Sequence, residues 1–144
     1  MMTFLIADDA GVMRKVISRY LMEMGAIETQ IFQAENGREA VTMASKEAYS
    51  LIFMDWNMPV LLGIDAVSEI RAGGIKTPIL MVTTEGEKAN VIRAIQAGAS
   101  NYLTKPFTKE DFEAKVTQLV GPITAPIEDA KLRVDLAEGK IRPV

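Results

Sequence analysis

The sequence predicts an α/β fold in which helices cover both faces of a five-stranded parallel sheet. Short, continuously apolar runs alternate along the chain with segments in which apolar residues recur every three or four positions. Continuously apolar strands are typical of parallel sheets that are buried on both faces, and the second pattern is typical of amphipathic helices. Because the two kinds of segment alternate five times, we predict a doubly wound sheet with right-handed crossovers.

Five apolar runs are the predicted strands. The strong runs are Phe4–Ala7, Leu51–Met54 and Ile79–Val82, and the weaker ones are Ile31–Ala34 and Tyr102–Leu103. An edge strand is less buried than a central one, so we place the two weaker runs at the edges of the sheet. By analogy with known flavodoxin-like sheets, we expect the strand order 2-1-3-4-5.

Five helices are predicted, one after each strand. The first spans the apolar positions from Met13 to Met24 and ends at Gly25. Asn36 is a candidate N-cap for the second helix. Thr108, with Asp111 three residues later, resembles a capping box at the start of the fifth. The second, third and fourth helices are expected to cover residues 37–46, 64–71 and 88–97.

Composition excludes several classes of site and partner. The 144 residues contain no cysteine and no histidine, which excludes disulfides, thiolate or histidine-bound zinc, and Ser-His-Asp chemistry. A formal charge of −3 without a long basic run indicates no nucleic-acid surface. The N-terminal apolar run is too short for a signal peptide, and no run is long enough to cross a membrane. We therefore expect a cytoplasmic protein that binds neither nucleic acid nor membrane.

The composition changes near the C-terminus. Length predicts a single domain, to which we assign residues 1–121. Pro122 and Pro126 then bracket a linker-like stretch. Alternating residues at 131–135 and a turn near 137–139 suggest that residues 122–144 form either an extended tail or a small hairpin.

Polar side chains follow the predicted strands at one edge of the sheet, where ligands bind in open α/β folds. They are Asp8 and Asp9 after the first strand, Asp55 after the third, Thr83 and Thr84 after the fourth, and Lys105 with Pro106 after the fifth. Two carboxylates roughly 4 Å apart repel by about 4 kcal/mol, so such a cluster needs a compensating cation. Oxygen ligands favour Mg²⁺. An aspartate can also act as a nucleophile and form an aspartyl phosphate, which Mg²⁺ and Lys105 would stabilise.

Simpler interpretations of the same residues remain open at this point. Asp8 or Asp9 could cap the first helix, Lys105 could be a solvated surface lysine, and Tyr102 could be ordinary edge-strand packing. The joint placement of the acids, hydroxyls and lysine at one edge favours the functional interpretation.

Four motifs in order resemble those of CheY-like response regulator receiver domains of two-component signalling. The motifs are Asp8-Asp9, Met54-Asp55-Trp56-Asn57-Met58-Pro59, Met81-Val82-Thr83-Thr84-Glu85 and Lys105-Pro106-Phe107. The resemblance covers about residues 3–120, and residues 97–107 are especially similar to chemotaxis-type receivers.

The resemblance implies a role for each motif. Asp55 would be the phosphoacceptor, and Lys105, joined to Pro106 by a cis peptide bond, would pair with the phosphoryl group. Thr83 and Tyr102 would form the switch pair. Mg²⁺ would be bound by the carboxylates of Asp9 and Asp55, by the backbone carbonyl of Asn57, and through water by Asp8. Asn57 and Glu85 would modulate hydrolysis of the acyl phosphate.

The same resemblance implies partners. Because the chain has no histidine, a histidine kinase or phosphotransfer protein would supply the phosphoryl group. Without an output domain, the switched surface around the fourth helix, fifth strand and fifth helix would bind a target protein. A flagellar motor switch or a phosphorelay component is a candidate, with chemotaxis favoured, and a phosphatase could end the signal. On this interpretation the chain is a phosphoacceptor signalling protein and not an enzyme.

The sequence departs from the family pattern at two positions, and three rival functions stand beside the receiver interpretation. Leu62 leaves an apolar residue in the loop after Asp55, where it could alter recognition by a kinase or phosphatase, and Thr84 could narrow access to the phosphoryl site. A flavin-binding protein is disfavoured because Asp8-Asp9 would repel a phosphate. A haloacid-dehalogenase-type phosphatase is disfavoured because Asn57 stands where an acid is needed. The third rival is a pseudo-receiver that binds partners without phosphorylation.

Overall fold

Five parallel strands form one sheet in the order predicted from the sequence. The computed structural model describes residues 1–124. The strands are β1 (Phe4–Ala7), β2 (Ile31–Ala34), β3 (Leu51–Met54), β4 (Ile79–Thr83) and β5 (Asn101–Thr104). They are arranged as β2-β1-β3-β4-β5, so the flavodoxin-like order and the two edge assignments are confirmed.

Five α-helices follow the strands with nearly the predicted bounds. They are α1 (Gly11–Glu23), α2 (Gly37–Lys46), α3 (Gly63–Ala72), α4 (Lys88–Ala97) and α5 (Lys109–Val120). The side chain of Asn36 accepts a hydrogen bond from the Glu39 N–H at 2.8 Å, and that of Thr108 accepts one from the Asp111 N–H at 3.0 Å. Both predicted caps are therefore confirmed. None of the helices within residues 1–124 is long and apolar enough to span a membrane.

Two apolar layers cover the faces of the sheet. Phe53 on β3 stacks on Phe112 of α5 with ring centroids 5.5 Å apart, and Ile17 and Leu21 of α1 lie in the same layer. The opposite layer is formed by α2, α3 and α4 and includes Val67. The central strands are buried along their whole length, whereas β2 is partly exposed, which explains why its sequence is less apolar.

A buried glutamine joins the two ends of the described chain. A short 3₁₀ helix at Glu28–Gln30, which the sequence did not predict, precedes β2. The Gln30 side-chain amide donates to the carbonyls of Met2 and Thr124, each at 2.9 Å. Residues after Thr124 lie outside the described part, so the tail or small hairpin expected for residues 122–144 and the division at residue 121 stay predictions.

Candidate functional site

Three carboxylates meet at the carboxyl ends of β1 and β3. The Asp55 N–H donates to the Ala7 carbonyl at 2.9 Å, and Ala7 pairs with Met54. Asp8 and Asp55 therefore follow the last residues of two neighbouring strands in the same register. Oxygen atoms of Asp8, Asp9 and Asp55 lie within 4.8 Å of one another. Asp8 and Asp55 are buried, whereas Asp9 is exposed and opens the cluster to solvent. Neither Asp8 nor Asp9 caps α1, because Ala10 is the N-cap residue and no side chain caps there.

Lys105 lies inside this cluster and not on the surface. Its Nζ is 2.8 Å from Asp8 Oδ2 and 3.4 Å from Asp55 Oδ2, and its side chain is only 14% exposed. The Lys105 N–H donates to the Thr83 carbonyl at 2.8 Å, which fixes the backbone beside the acids. The Lys105–Pro106 peptide bond is cis, as the resemblance implied. One ammonium group therefore bridges two of the three carboxylates.

The electrostatics of the cluster favour an added cation. Burial raises the pKa of Asp55, and the neighbouring Asp8 carboxylate raises this pKa further, while Lys105 and the Thr83 hydroxyl oppose the rise. Three carboxylates against one ammonium leave an excess of negative charge in a largely buried place. The donors are all hard oxygen atoms, as Mg²⁺ requires, and exposed Asp9 gives an ion a path in. The residues present therefore fit a magnesium ion.

The two residues expected to form the switch pair are both buried beside this edge. Thr83 is the last residue of β4 and is fully buried, and its hydroxyl accepts a hydrogen bond from the Glu85 N–H at 3.4 Å. Tyr102 on β5 is 8% exposed, and its hydroxyl has no hydrogen-bond partner among residues 1–124. Burial, Glu85 and Asp55 raise the pKa of Tyr102 to about 12. The tyrosine ring thus already lies inward in this structure.

Comparison with known proteins agrees with this geometry. The family model of the response regulator receiver domain matches residues 4–117. The chain belongs to this family. Chemotaxis protein CheY homologues of Campylobacter jejuni are 39% identical to this receiver over 123 residues, which is 83% of the chain and 93% of the relative.

Solved receiver structures have the same fold. The chemotaxis response regulator CheY4 of Vibrio cholerae superposes with a TM-score of 0.74 at 32% identity, covering 83% of this chain and 98% of that one. The receiver domain of a sensor histidine kinase from Pseudomonas aeruginosa PAO1 gives the same TM-score and coverage at 30% identity. That structure has a magnesium ion coordinated in its active-site cleft.

Apolar side chains are exposed in the loop that follows Asp55. Val60 and Leu62, which follow Asp55 in this loop, are 77% and 44% exposed. Gly63, which begins α3, lies so close to the Asp55 carbonyl that a Cβ there would overlap it, and a Cβ at Gly37 of α2 would overlap the Leu61 carbonyl. Both helices therefore contact the backbone of this loop.

A polar link joins the loop after β3, the loop after β4 and α4. The Asn57 side chain donates to Glu85 Oε1 at 2.9 Å, and the Asn90 side chain on α4 donates to Glu85 Oε2 at 3.4 Å. Thr84, between Thr83 and Glu85, is exposed and remains a candidate for limiting access. Asn57 and Glu85 thus contact each other directly at the edge of the acidic cluster.

Sequence reasoning missed two arginines near the site. Arg93 of α4 lies over the ring of Trp56 with its guanidinium carbon 5.4 Å from the ring centroid. Arg14 of α1 donates a hydrogen bond to the backbone carbonyl of Asp8. Both occupy ordinary polar positions in helical sequence patterns, so only the tertiary structure reveals what they contact.

Proposed function

We propose that this receiver is a switch that accepts a phosphoryl group on Asp55 from a phosphohistidine of a histidine kinase or phosphotransfer protein in the cytoplasm. The observation that carries the proposal is the contact of Lys105 Nζ with both Asp8 and Asp55 in a cluster of three carboxylates. An ion pair that only stabilises a fold is not usually accompanied by further carboxylates that no cation balances. A site for a cation and a phosphoryl group explains this arrangement better.

The chemical step transfers a phosphoryl group between two nucleophiles. An oxygen of the Asp55 carboxylate bonds to phosphorus while the phosphorus–nitrogen bond of the donor breaks, and the imidazole keeps the electron pair and later binds a proton. Oδ2 faces Lys105, whereas Oδ1 accepts a hydrogen bond from the Trp56 N–H at 2.8 Å, so Oδ2 is the better placed nucleophile. Lys105 then neutralises part of the charge on the equatorial phosphoryl oxygens.

The acids and one backbone carbonyl would hold Mg²⁺. We assign Asp9, Asp55 and the Asn57 carbonyl to direct coordination and Asp8 to contact through water. When bound, the ion supplies charge neutralisation at the transferring phosphoryl group. Asn57 and Glu85, which contact each other, are placed to control how water or a phosphatase reaches the acyl phosphate.

Switching would act through Thr83 and Tyr102. A phosphoryl oxygen gives the Thr83 hydroxyl a new, negatively charged acceptor, and this hydrogen bond contributes about 1.5–3 kcal/mol. The Lys105 ammonium already contacts Asp8 and Asp55, so its contact with the phosphoryl group adds less than a wholly new charged bond would. Inverting a 1:99 population needs about 5.5 kcal/mol, so these contacts alone shift the equilibrium only in part. A partner that binds the surface of α4, β5 and α5, where Ile92 and Ile95 are each 46% exposed, would complete the shift.

The phosphoacceptor assignment is tested by mass spectrometry after incubation with Mg²⁺ and acetyl phosphate. Wild type should gain one phosphoryl group, located on Asp55, and Asp55→Asn should gain none. Asp65→Asn, a change at an exposed aspartate on α3, is the matched control and should behave as wild type. Labelling of the Asp55→Asn variant would disprove the assignment by placing the phosphoryl group elsewhere, and no labelling of wild type would favour a pseudo-receiver.

Chemotaxis is the pathway we favour, because the matched relatives from Campylobacter jejuni and Vibrio cholerae are chemotaxis proteins. A flagellar motor switch is then the target to test first. Deletion of the gene should abolish spreading in soft agar while cells still swim, and only a gene that retains Asp55 should restore spreading. Normal spreading of the deletion strain would favour a phosphorelay target instead.

A further inference from the structure

We infer that Arg14 is a positioning residue for the cation site, because it fixes the peptide that joins Asp8 to Asp9. The inference rests on the proposed function above and concerns how the acidic pair is held. Arg14 lies in the first turns of α1, and its side chain is 14% exposed. It would therefore act from behind the site and would not contact the phosphoryl group.

The guanidinium joins three segments of the chain. Arg14 NH1 donates to the carbonyl oxygen of Asp8 at 2.6 Å, and Nε donates to Gln33 Oε1 on β2 at 2.9 Å. NH2 is 3.7 Å from Glu35 Oε1, which is a weaker, exposed contact. Because the guanidinium is planar, the two hydrogen bonds orient each other and keep the Asp8 carbonyl in a fixed direction.

The carbonyl that Arg14 contacts belongs to the Asp8–Asp9 peptide unit. The rest of Asp8 is already held, since its N–H donates to Ala34, its Oδ1 accepts from the Ala10 N–H at 2.9 Å, and its Oδ2 contacts Lys105. Asp9, by contrast, is exposed, and no hydrogen bond or ion pair of its side chain occurs within residues 1–124. The orientation of the peptide is thus what directs the Asp9 carboxylate towards Asp55.

Charge and geometry predict opposite effects of replacing Arg14, which makes the inference testable. Removing a positive charge close to the acids would by itself strengthen cation binding. Losing the hydrogen bond to the Asp8 carbonyl would free the peptide and weaken binding. A lysine keeps the charge but cannot reproduce the planar pair of hydrogen bonds, so Arg14→Lys separates the two effects.

The experiment measures the Kd for Mg²⁺ by titration calorimetry on the full chain. We expect Arg14→Lys to bind Mg²⁺ about 10-fold more weakly than wild type, the lower end of the range for groups that orient metal ligands. Arg14→Gln should also bind more weakly than wild type but by a smaller factor, because its lost charge partly offsets the lost hydrogen bonds. Gln33→Leu, which leaves Arg14 in place but removes its anchor on β2, should weaken binding by a smaller factor. The control is Arg38→Gln, which breaks an exposed ion pair with Glu69 and should leave the Kd unchanged.

The possible outcomes separate this inference from the proposed function. Equal binding by wild type and Arg14→Lys, together with tighter binding by Arg14→Gln, would show that only charge matters and would overturn the inference. Unchanged binding by every variant would overturn it as well, while the proposed function would stand. Failure of wild type to bind Mg²⁺ would contradict both. Thermal melting in the presence of a chelator shows whether each variant is folded. If the Arg14 variants are unfolded, the Kd of Gln33→Leu tests the inference instead: weaker binding than wild type supports it, and unchanged binding overturns it.

Discussion

Val60 is held in a backbone conformation that its side chain disfavours, so replacing it with asparagine should stabilise the receiver. Its φ is 71°, the only positive value at a residue other than glycine within residues 1–124. A β-branched residue in this left-handed region is destabilised by about 1–2 kcal/mol, whereas asparagine adopts it readily. Val60→Asn should therefore remove most of this strain.

The opposing loss of burial is small. Val60 is 77% exposed, so less than a quarter of its surface is buried. If complete burial of valine contributes about 1.5 kcal/mol, the loss is roughly 0.3 kcal/mol. The net gain in free energy of unfolding is about 1 kcal/mol, which corresponds to an increase in Tm of about 4 °C for a domain of this size.

Urea unfolding of the magnesium-free full chain measures this gain, with an unchanged m-value as the sign that only stability has altered. Val12→Asn is the matched control, because Val12 is 76% exposed but lies in α1. Asparagine and valine have similar helix propensities, so the control should change stability by less than about 0.5 kcal/mol. A Val60→Asn protein no more stable than wild type, or an equal gain in Val12→Asn, would refute the reasoning.

Three further changes test other features. Asp55→Asn should stabilise the magnesium-free protein at neutral pH, because burial and Asp8 raise the pKa of Asp55. The difference in free energy of unfolding between the variant and wild type, measured in urea, should shrink as the pH falls through that raised pKa towards 3.8. In this range the folded wild type binds a proton at Asp55 more tightly than the unfolded chain does, so protonation stabilises the wild type. Tyr102→Phe should raise the free energy of unfolding by about 1 kcal/mol, because the hydroxyl it removes is buried without a partner; a loss on urea unfolding would reveal a missed hydrogen bond. Asn36→Ala should lower that free energy by about 1 kcal/mol through loss of the α2 cap, and thermal melting that matched wild type would argue against the cap.

Most of the fold could be predicted because strand and helix patterns are distinct here. The continuously apolar run at Phe4–Ala7 has the bounds of β1, and Asn36 caps α2 as predicted. The 3₁₀ turn at Glu28–Gln30 could not be predicted, because three polar residues carry no periodicity. Gln30 is fully buried only because its amide hydrogen bonds join both ends of the described chain, and sequence alone does not show such long-range contacts.

The sequence could predict which residues lie together in the site, because parallel strands bring their carboxyl ends to one edge of the sheet. The finer contacts depend on side-chain conformation: Lys105 is closer to Asp8 than to Asp55, and no pattern in the sequence indicates this. Arg14 resembles any solvated helix arginine until its contact with the Asp8 carbonyl is seen. At Val60 the sequence is misleading, because valine normally indicates that φ is negative.

In the loop that follows Asp55, the position of the main chain and the identity of the exposed side chains depend on different contacts. The glycines at the starts of α2 and α3 lie against the main chain. The backbones of α2 and α3 approach the loop's main chain closely at Gly37 and Gly63, whereas the side chains of Val60 and Leu62 are exposed. On the proposed function, the outer side chains of this loop can therefore change to suit a different kinase or phosphatase while Asp55 keeps its position. In this way, paralogous receivers in one cell can bind different partners while each keeps the same arrangement of acids and lysine.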